Sequence, residues 1–278
     1  MKKHSAFSLV ELSIVIVIIA ILIVGITQGR GIISKSKIGA AQNQTAQSPI
    51  AETENLIAWW ETSSEKSFDK SENDDDQTIS TWFDINPKSL AAINMTQTNA
   101  ANKPTYKLDI WNGLPMLKFT SGNNYFNIAD GTVPYQNSNY TVFIVGKFGS
   151  CGGTCNILAS GTVGLGLNSF QYNSNSIINN WNSSSLSANA AIKDFHIYSF
   201  LYSNASGRTI FIDGNQGAND STTNRNSSSG ANYLGSIVAS TGLDGYLGEV
   251  IIFNRNLRLE ERKAIEKYLS RKWAIAVQ

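Results

Sequence analysis

Glu11 is the residue in this sequence that most needs a chemical explanation. It stands in "FSLVELSIVIVIIAILIVGI", residues 7–26, where the other nineteen side chains carry no charge. A carboxylate within an apolar membrane helix costs a few kcal/mol and is usually paired, often inside an assembly. An amine is the partner such an acid calls for. The bland alternative is a plain single-pass anchor in which Glu11, about 7 Å from the helix start at helical rise, reaches the interface.

Other residues offer less. A retaining glycosidase needs two carboxylates about 5 Å apart, which strand geometry would place at i and i+2 or i and i+4. Glu249 stands alone in "GEVIIFN" and reads as a strand-edge or helix-contact residue. His196 sits among alternating apolar residues in "FHIYSF", with no G-x-S-x-G turn in the chain to suggest a serine nucleophile, and reads as structural. The acidic run "DKSENDDD" (69–76) could offer calcium the oxygens of Asp74, Asp75 and Asp76, but it lacks the glycine and glutamate spacing of an EF-hand and reads first as a solvated loop. Cys151 and Cys155 in "SCGGTC" are too few for a zinc site and lack C-x-x-C spacing, so a local disulfide pinning a loop tip is expected. Trp181 and Asn180 in "IINNWNSSS", with Tyr172, are candidates for a sugar site that combines an aromatic platform with amide hydrogen bonds; Tyr125, Phe126 and Phe170 stand beside similar Asn-rich turns. No catalytic residue emerges. The expectation is a chain that is not an enzyme and has no cofactor, calcium apart.

The apolar run that carries Glu11 is twenty residues long, and at about 1.5 Å each these would span about 30 Å, the thickness of bilayer hydrocarbon. A transmembrane helix is therefore expected. Lys2 and Lys3 precede it, which leaves the short leader in the cytoplasm and the rest of the chain outside, where a disulfide persists. No small-residue signal-peptidase site closes the run, because Gln28 and Arg30 interrupt the glycines that follow it. The stretch "SAFSLVELSIVIVIIAIL" resembles the type IV prepilin signature. That resemblance implies cleavage by a prepilin peptidase between Ala6 and Phe7, N-methylation of Phe7, and a filament in which Glu11 faces the new amine of a neighbouring subunit. Most of that family has glycine where this chain has Ala6.

Beyond the run, "TQGRGIISKSKIGAAQNQTAQSPI" reads as a polar helix weakened by Gly25, Gly29, Gly31 and Gly39, each costing about 1 kcal/mol against alanine. Local fraying is expected there, as a melting segment or a flexible stalk. Pro49 ends the helical signal. The chain thus divides into a leader (1–6), a pilin-like helix with its extension (7–48) and a second domain (49–278).

That second domain reads as mainly β. Only 15 % of the chain is charged, the formal net charge is +1, and no basic stripe interleaved with aromatics is present, so nucleic acid is not an expected partner. The runs "YTVFIVGKF", "FHIYSFLYS", "RTIFIDG" and "YLGEVIIFN" are separated by Gly, Asn and Ser, the punctuation of an antiparallel β-sandwich. In "LRLEERKAIEKYLSRKW" the residues Leu257, Ala264, Ile265, Tyr268, Leu269 and Trp273 recur at helical spacing, which predicts a C-terminal helix with charges on its opposite face. The segments "LIAWWETSS", "ISTWFDIN", "NKPTYKLDIWNGLPMLKFTSGNNYF" and the closing strand and helix resemble concanavalin A-like, laminin-G-like jelly rolls of bacterial surface proteins. Together the two resemblances imply a minor pilin or pseudopilin of a type IV filament or type II secretion system. Its partners would be other pilins, a prepilin peptidase, the inner membrane and a glycan or surface ligand. It would lie in the bacterial inner membrane before assembly and in a pilus or pseudopilus after it, with its lectin-like head periplasmic or extracellular. An uncleaved membrane-anchored lectin and a glycan-active hydrolase are the alternatives.

Overall fold

A computed structural model describes residues 9–120, 124–150, 152–161, 166–181, 184–191, 193–224, 227–228, 230–236 and 242–278, with the backbone alone for 24–33. The aliphatic run and its polar extension form one helix, α1 (Leu9–Ala46). It passes all four glycines without a break, so the expected fraying is not seen. Packing explains this at the far end, where Ala41 is buried and Ile38 is packed against the same core as Leu114, Ile251 and Trp273. Tertiary contact of this kind outweighs a weak intrinsic propensity. From Leu9 to Ile23 the side chains are exposed. Among the described residues no helix is long and apolar enough to cross a membrane. The expectation of a transmembrane span over 7–26 is corrected to that extent.

Sixteen strands follow among the described residues. In chain order they begin β1 (Leu56–Glu61), β2 (Thr81–Trp82), β3 (Met95–Thr96), β4 (Thr105–Trp111), β5 (Leu114–Phe119) and β6 (Phe126–Ile128). The middle of the domain supplies β7 (Tyr140–Phe148), β8 (Cys155–Ser160), β9 (Asn168–Asn173), β10 (Ser176–Trp181) and β11 (Ser184–Asn189). The last are β12 (His196–Ser203), β13 (Gly207–Ile212), β14 (Asn215–Asp220), β15 (Asn232–Leu234) and β16 (Gly245–Phe253), before the closing helix α2 (Leu259–Trp273). The four β-rich runs read from the sequence are β7, β12, β13 and β16. Asp213 and Gly214, at φ 50° and 81°, make the two-residue turn between β13 and β14 that a right-twisted hairpin requires.

The strands form two antiparallel sheets of eight. The first runs β14-β13-β12-β7-β16-β5-β4, with β1 added on β16; the second runs β11-β10-β9-β8-β15-β6-β3-β2. Strand β16 meets two partners along one edge: Gly245–Leu247 pair with β5 and Glu249–Phe253 pair with β1, with a bulge between Leu247 and Glu249. Thr62 closes the gap, its amide donating to the Gly248 carbonyl (3.0 Å) and its hydroxyl to the Pro115 carbonyl (2.6 Å).

Two cores result. The larger lies between the sheets and is rich in rings, among them Trp60, Trp82, Phe126 and Tyr198. The smaller lies between the outer face of the first sheet and the helices, and joins Trp59, Phe143, Ile251, Ile265, Leu269 and Trp273. Gly248 admits the Trp273 ring, since a Cβ there would come within 2.5 Å of it. The apolar face expected of α2 needs two corrections. Ala264 is exposed, and Arg262, Glu266 and Lys272 are buried rather than on the solvent side. Glu261 takes the N3 position of the cap, accepting from the Arg258 amide at 2.9 Å, where a negative charge also suits the helix N-terminus.

Candidate functional site

Four elements meet at one buried group of charges. Strand alternation sends Trp59 and Glu61 of β1 to the helix side of the first sheet, while Ala58 and Trp60 face the larger core. Antiparallel pairing sets Glu61 directly opposite Glu249 of β16. Two carboxylates opposite each other would repel, and Lys272 of α2 comes down between them. Its Nζ lies 2.9 Å from Glu61 Oε2 and 3.0 Å from Glu249 Oε2, and all three side chains are at 0 % exposure. Further donors surround the two acids. Trp59 Nε1 (2.8 Å) and the Tyr268 hydroxyl (3.0 Å) donate to Glu249 Oε1, and Trp273 Nε1 (2.8 Å) donates to Oε2. The Ser63 amide (2.6 Å) and hydroxyl (2.8 Å) donate to Glu61 Oε2.

Helix α1 enters this group through Thr45. Lys272 Nζ donates to Thr45 Oγ1 at 2.9 Å, Thr45 and the Tyr268 hydroxyl are 3.2 Å apart, and one turn back Gln42 Nε2 donates to the Ser63 carbonyl at 2.9 Å. Burial pushes the Glu249 carboxyl up from its ordinary value against the pull of Lys272, with Glu61 adding to the rise. Burial alone would lower Lys272, but the charges of Glu249 and Glu61 and their hydrogen bonds hold it above the usual lysine range. The Tyr268 hydroxyl is driven well up by burial and by the same two acids. Such a group fixes elements to one another. A fully enclosed triad holds no open position for a reacting molecule.

Of its three charges, sequence reasoning saw only Glu249, and saw it as solitary. The signal for Lys272 was present: it falls four residues after Tyr268 and three after Leu269, inside the apolar stripe rather than outside it. Glu61 was marked by its place at the end of the apolar run "LIAWW".

The sugar-site candidates separate by strand period. Trp181 and Tyr172 point into the larger core, so neither supplies an exposed platform, which corrects that expectation. Trp181 is covered by the Arg208 guanidinium, 3.9 Å from its ring, and Tyr172 is stacked on Phe148 at 4.7 Å. Phe126 and Phe170 are core residues as well. Asn180 is half-buried between Ser169 and Ser185 of the neighbouring strands and accepts from the Ser185 hydroxyl at 2.9 Å. Arg208 ties the sheets together, reaching from β13 to the Asn179 carbonyl (3.0 Å), the Ser184 carbonyl (3.1 Å) and Asp220 Oδ2 (2.6 Å).

Of the acidic run, Asp75 Oδ1 accepts from the Leu108 amide (2.9 Å) and Asp76 Oδ1 from Lys107 Nζ (2.7 Å), while Asp74 lies exposed in the same turn. Among the described residues no group of three or more His, Cys, Asp or Glu is placed to hold a metal ion. Cys155 is buried at the start of β8. Its expected partner Cys151 lies outside the described residues, as do Ala6 and Phe7. Glu11 lies on the exposed first turn of α1.

Comparison with known proteins adds two findings. Residues 1–27 match the family described as the prokaryotic N-terminal methylation motif. No curated protein sequence matches the chain. In structure, the chain is similar to the sialidase of Trypanosoma rangeli, solved with the inhibitor DANA (TM-score 0.54, 14 % identity, 79 % of this chain and 33 % of that one). It is also similar to domain 4 of AbnA, a GH43 extracellular arabinanase of Geobacillus stearothermophilus, in complex with arabinotriose (TM-score 0.54, 11 % identity, 76 % of this chain and 97 % of that one). A third likeness is to the binding domain of Paraclostridial mosquitocidal protein 1 (TM-score 0.57, 7 % identity, 80 % of this chain and 53 % of that one). The chain spans about a third of the length of the sialidase it matches.

These likenesses concern the fold: a prepilin-type N-terminus joined to a β-sandwich of the kind found in sialidases and binding domains. They also correct the expectation that the chain is not an enzyme. The same sandwich occurs within chains that are sialidases, so its presence excludes no activity, and at 14 % identity it supplies no catalytic residue.

Proposed function

We propose that this chain is a minor pilin or pseudopilin-like subunit that carries a binding head on a type IV-like filament. Prepilin peptidase removes residues 1–6 between Ala6 and Phe7, and Phe7 becomes N-methylated. The apolar part of α1 then serves twice, first as an anchor in the inner membrane and afterwards as the packing surface toward other subunits, with Glu11 paired to the amine of a neighbour. The β-sandwich is displayed outside for attachment to a surface or carbohydrate. The observation that carries this reading is the methylation motif over residues 1–27, together with the continuity of its helix into the head, where Thr45 is bonded to the buried lysine. An anchor on a slack tether would need no such joint. The reading is tested by the mass of the N-terminal peptide released from membranes. A peptide that begins at Phe7 with a methylated amine is expected; one that begins at Met1 overturns it and leaves an uncleaved anchored surface protein.

A further inference from the structure

An α-helix repeats its faces about every 3.6 residues, so positions 36 apart lie about ten turns apart on one face. Helix α1 is continuous from Leu9 to Ala46, and the Gln47 amide still donates to the Asn43 carbonyl at 3.1 Å. Gln47 therefore stands on the face of Glu11, about 54 Å further along. In the filament proposed above, Glu11 of one copy meets the amine of residue 7 in the next, which offsets the two parallel helices by four residues, about 6 Å. Carried along the helix by ten turns, the same offset sets Gln47 of the first copy beside Asn43 of the second. The side chains of Asn43 and Gln47 are exposed, and neither has a hydrogen-bond partner among the described residues.

Beside Gln47 the last turns of α1 and α2 leave a small cavity of about 100 Å³, lined by Gln44, Gln47, Ser48, Pro49, Tyr268 and Arg271. Gln47 and Arg271 are its exposed residues, Ser48 and Tyr268 its buried ones. Its wall is incompletely satisfied. Ser48 is 5 % exposed and its Oγ has no hydrogen-bond partner, and Gln44 Oε1 is buried without one. Orphans of this kind cost free energy until something pairs with them. Arg271 donates only from Nε, to the Lys267 carbonyl at 3.3 Å, which leaves its terminal nitrogens available among the described residues.

We propose that this cavity receives the Asn43 carboxamide of a second copy of the chain, as a second rung of the filament joint ten turns beyond the first. The proposal rests on the filament reading and names a partner residue for it. A primary amide matches the donors and acceptors in place: its oxygen accepts from Arg271 and from the Ser48 hydroxyl, and its nitrogen donates to Gln44 Oε1. A carboxylate would accept from the same two groups but bring no donor for Gln44. The space holds about three waters at about 30 Å³ each, and one carboxamide takes their place. Because Asn43 enters from one copy and the cavity belongs to the other, the contact is heterologous and repeats along a filament instead of closing a pair.

The test co-expresses two full-length copies, Asn43→Cys and a tagged Gln47→Cys, and oxidises the sheared filaments. A disulfide-linked pair of tagged and untagged chains is expected, and it should vanish when Lys263→Cys, on the exposed side of α2, replaces Gln47→Cys. In single copies, Asn43→Ala and Asn43→Asp should each lower recovery with filaments about tenfold, while both melt with the parent. A link from Asn43→Cys to a different pilin, with none to the tagged copy, overturns the second copy as occupant. Full recovery of both Asn43 variants leaves only water in the cavity and overturns the rung. The N-terminal peptide mass is read from the same cells. A methylated Phe7 without the link overturns this inference alone, whereas a chain that begins at Met1 overturns the filament reading with it.

Discussion

Lys272 shows how much rests on a single side chain in a dry interior. Its ammonium lies between two fully buried carboxylates, and removal of one partner from such a group typically costs about 3–5 kcal/mol because the other charge is left uncompensated. Lys272→Met is therefore expected to lower unfolding stability by about that amount in denaturant titration, whereas the triple change Glu61→Gln, Glu249→Gln and Lys272→Met restores most of it. Gly248 is exacting for a steric reason. A methyl group at this position would stand 2.5 Å from the Trp273 ring, so Gly248→Ala forces the indole out of its seat, and a loss of about 1–3 kcal/mol is expected from the overpacking. His196 supplies the pH dependence. Its Nδ1 faces Asp213 Oδ2 at 2.6 Å and its Nε2 faces the Ala191 carbonyl at 3.1 Å, and only an imidazolium donates at both nitrogens. The Asp213 hydrogen bond raises its pKa against the opposing effect of burial. A raised folded-state pKa gives stability that is fully present below about pH 6.5 and is lost as pH rises through the folded value. Melting temperature should fall across that window in the parent, and His196→Gln should flatten the fall.

At the scale of elements, helix α1 tests the balance between propensity and packing. Gly39 lies in a helical turn with nothing within 4 Å of where a Cβ would stand, so Gly39→Ala is expected to stabilise the chain by about 0.5–1 kcal/mol, read as a higher denaturant midpoint. The strands were largely legible because β7, β12, β13 and β16 are long and rich in β-branched and aromatic residues, and because Asp213-Gly214 marks its own turn. Short β2, β3, β6 and β15, two or three residues each, carry too little periodicity to be read before their partners are known. The pairing of Glu61 with Glu249 was hidden for a related reason: the two become neighbours only through a register that local sequence does not fix. In α2 the stripe was visible, yet Arg262, Glu266 and Lys272 were assigned to solvent because charge was taken as a sign of exposure. Arg262 is buried beside Glu266 at 2.6 Å and lies over Phe211 at 3.7 Å, so a long basic stem can belong to a core when its head is paired.

On the scale of the whole molecule, the exposed aliphatic residues of α1 from Leu9 to Ile23 form a surface far more apolar than a soluble chain normally leaves bare. In the proposed filament that surface is covered by equivalent helices and Glu11 sets the register. Glu11→Gln should therefore leave the head folded and the leader cleaved, yet sharply reduce the amount recovered with sheared filaments; unchanged recovery would remove Glu11 from the joint.

The meeting of α1, β1, β16 and α2 at Lys272 also has a mechanical consequence. A pull applied along the stalk reaches the sandwich at β16, flanked by β7 on one side and by β5 and β1 on the other, rather than at a peripheral strand that could peel away. Load is thus shared by many backbone bonds at once, and the head should resist traction until it gives way in a single event.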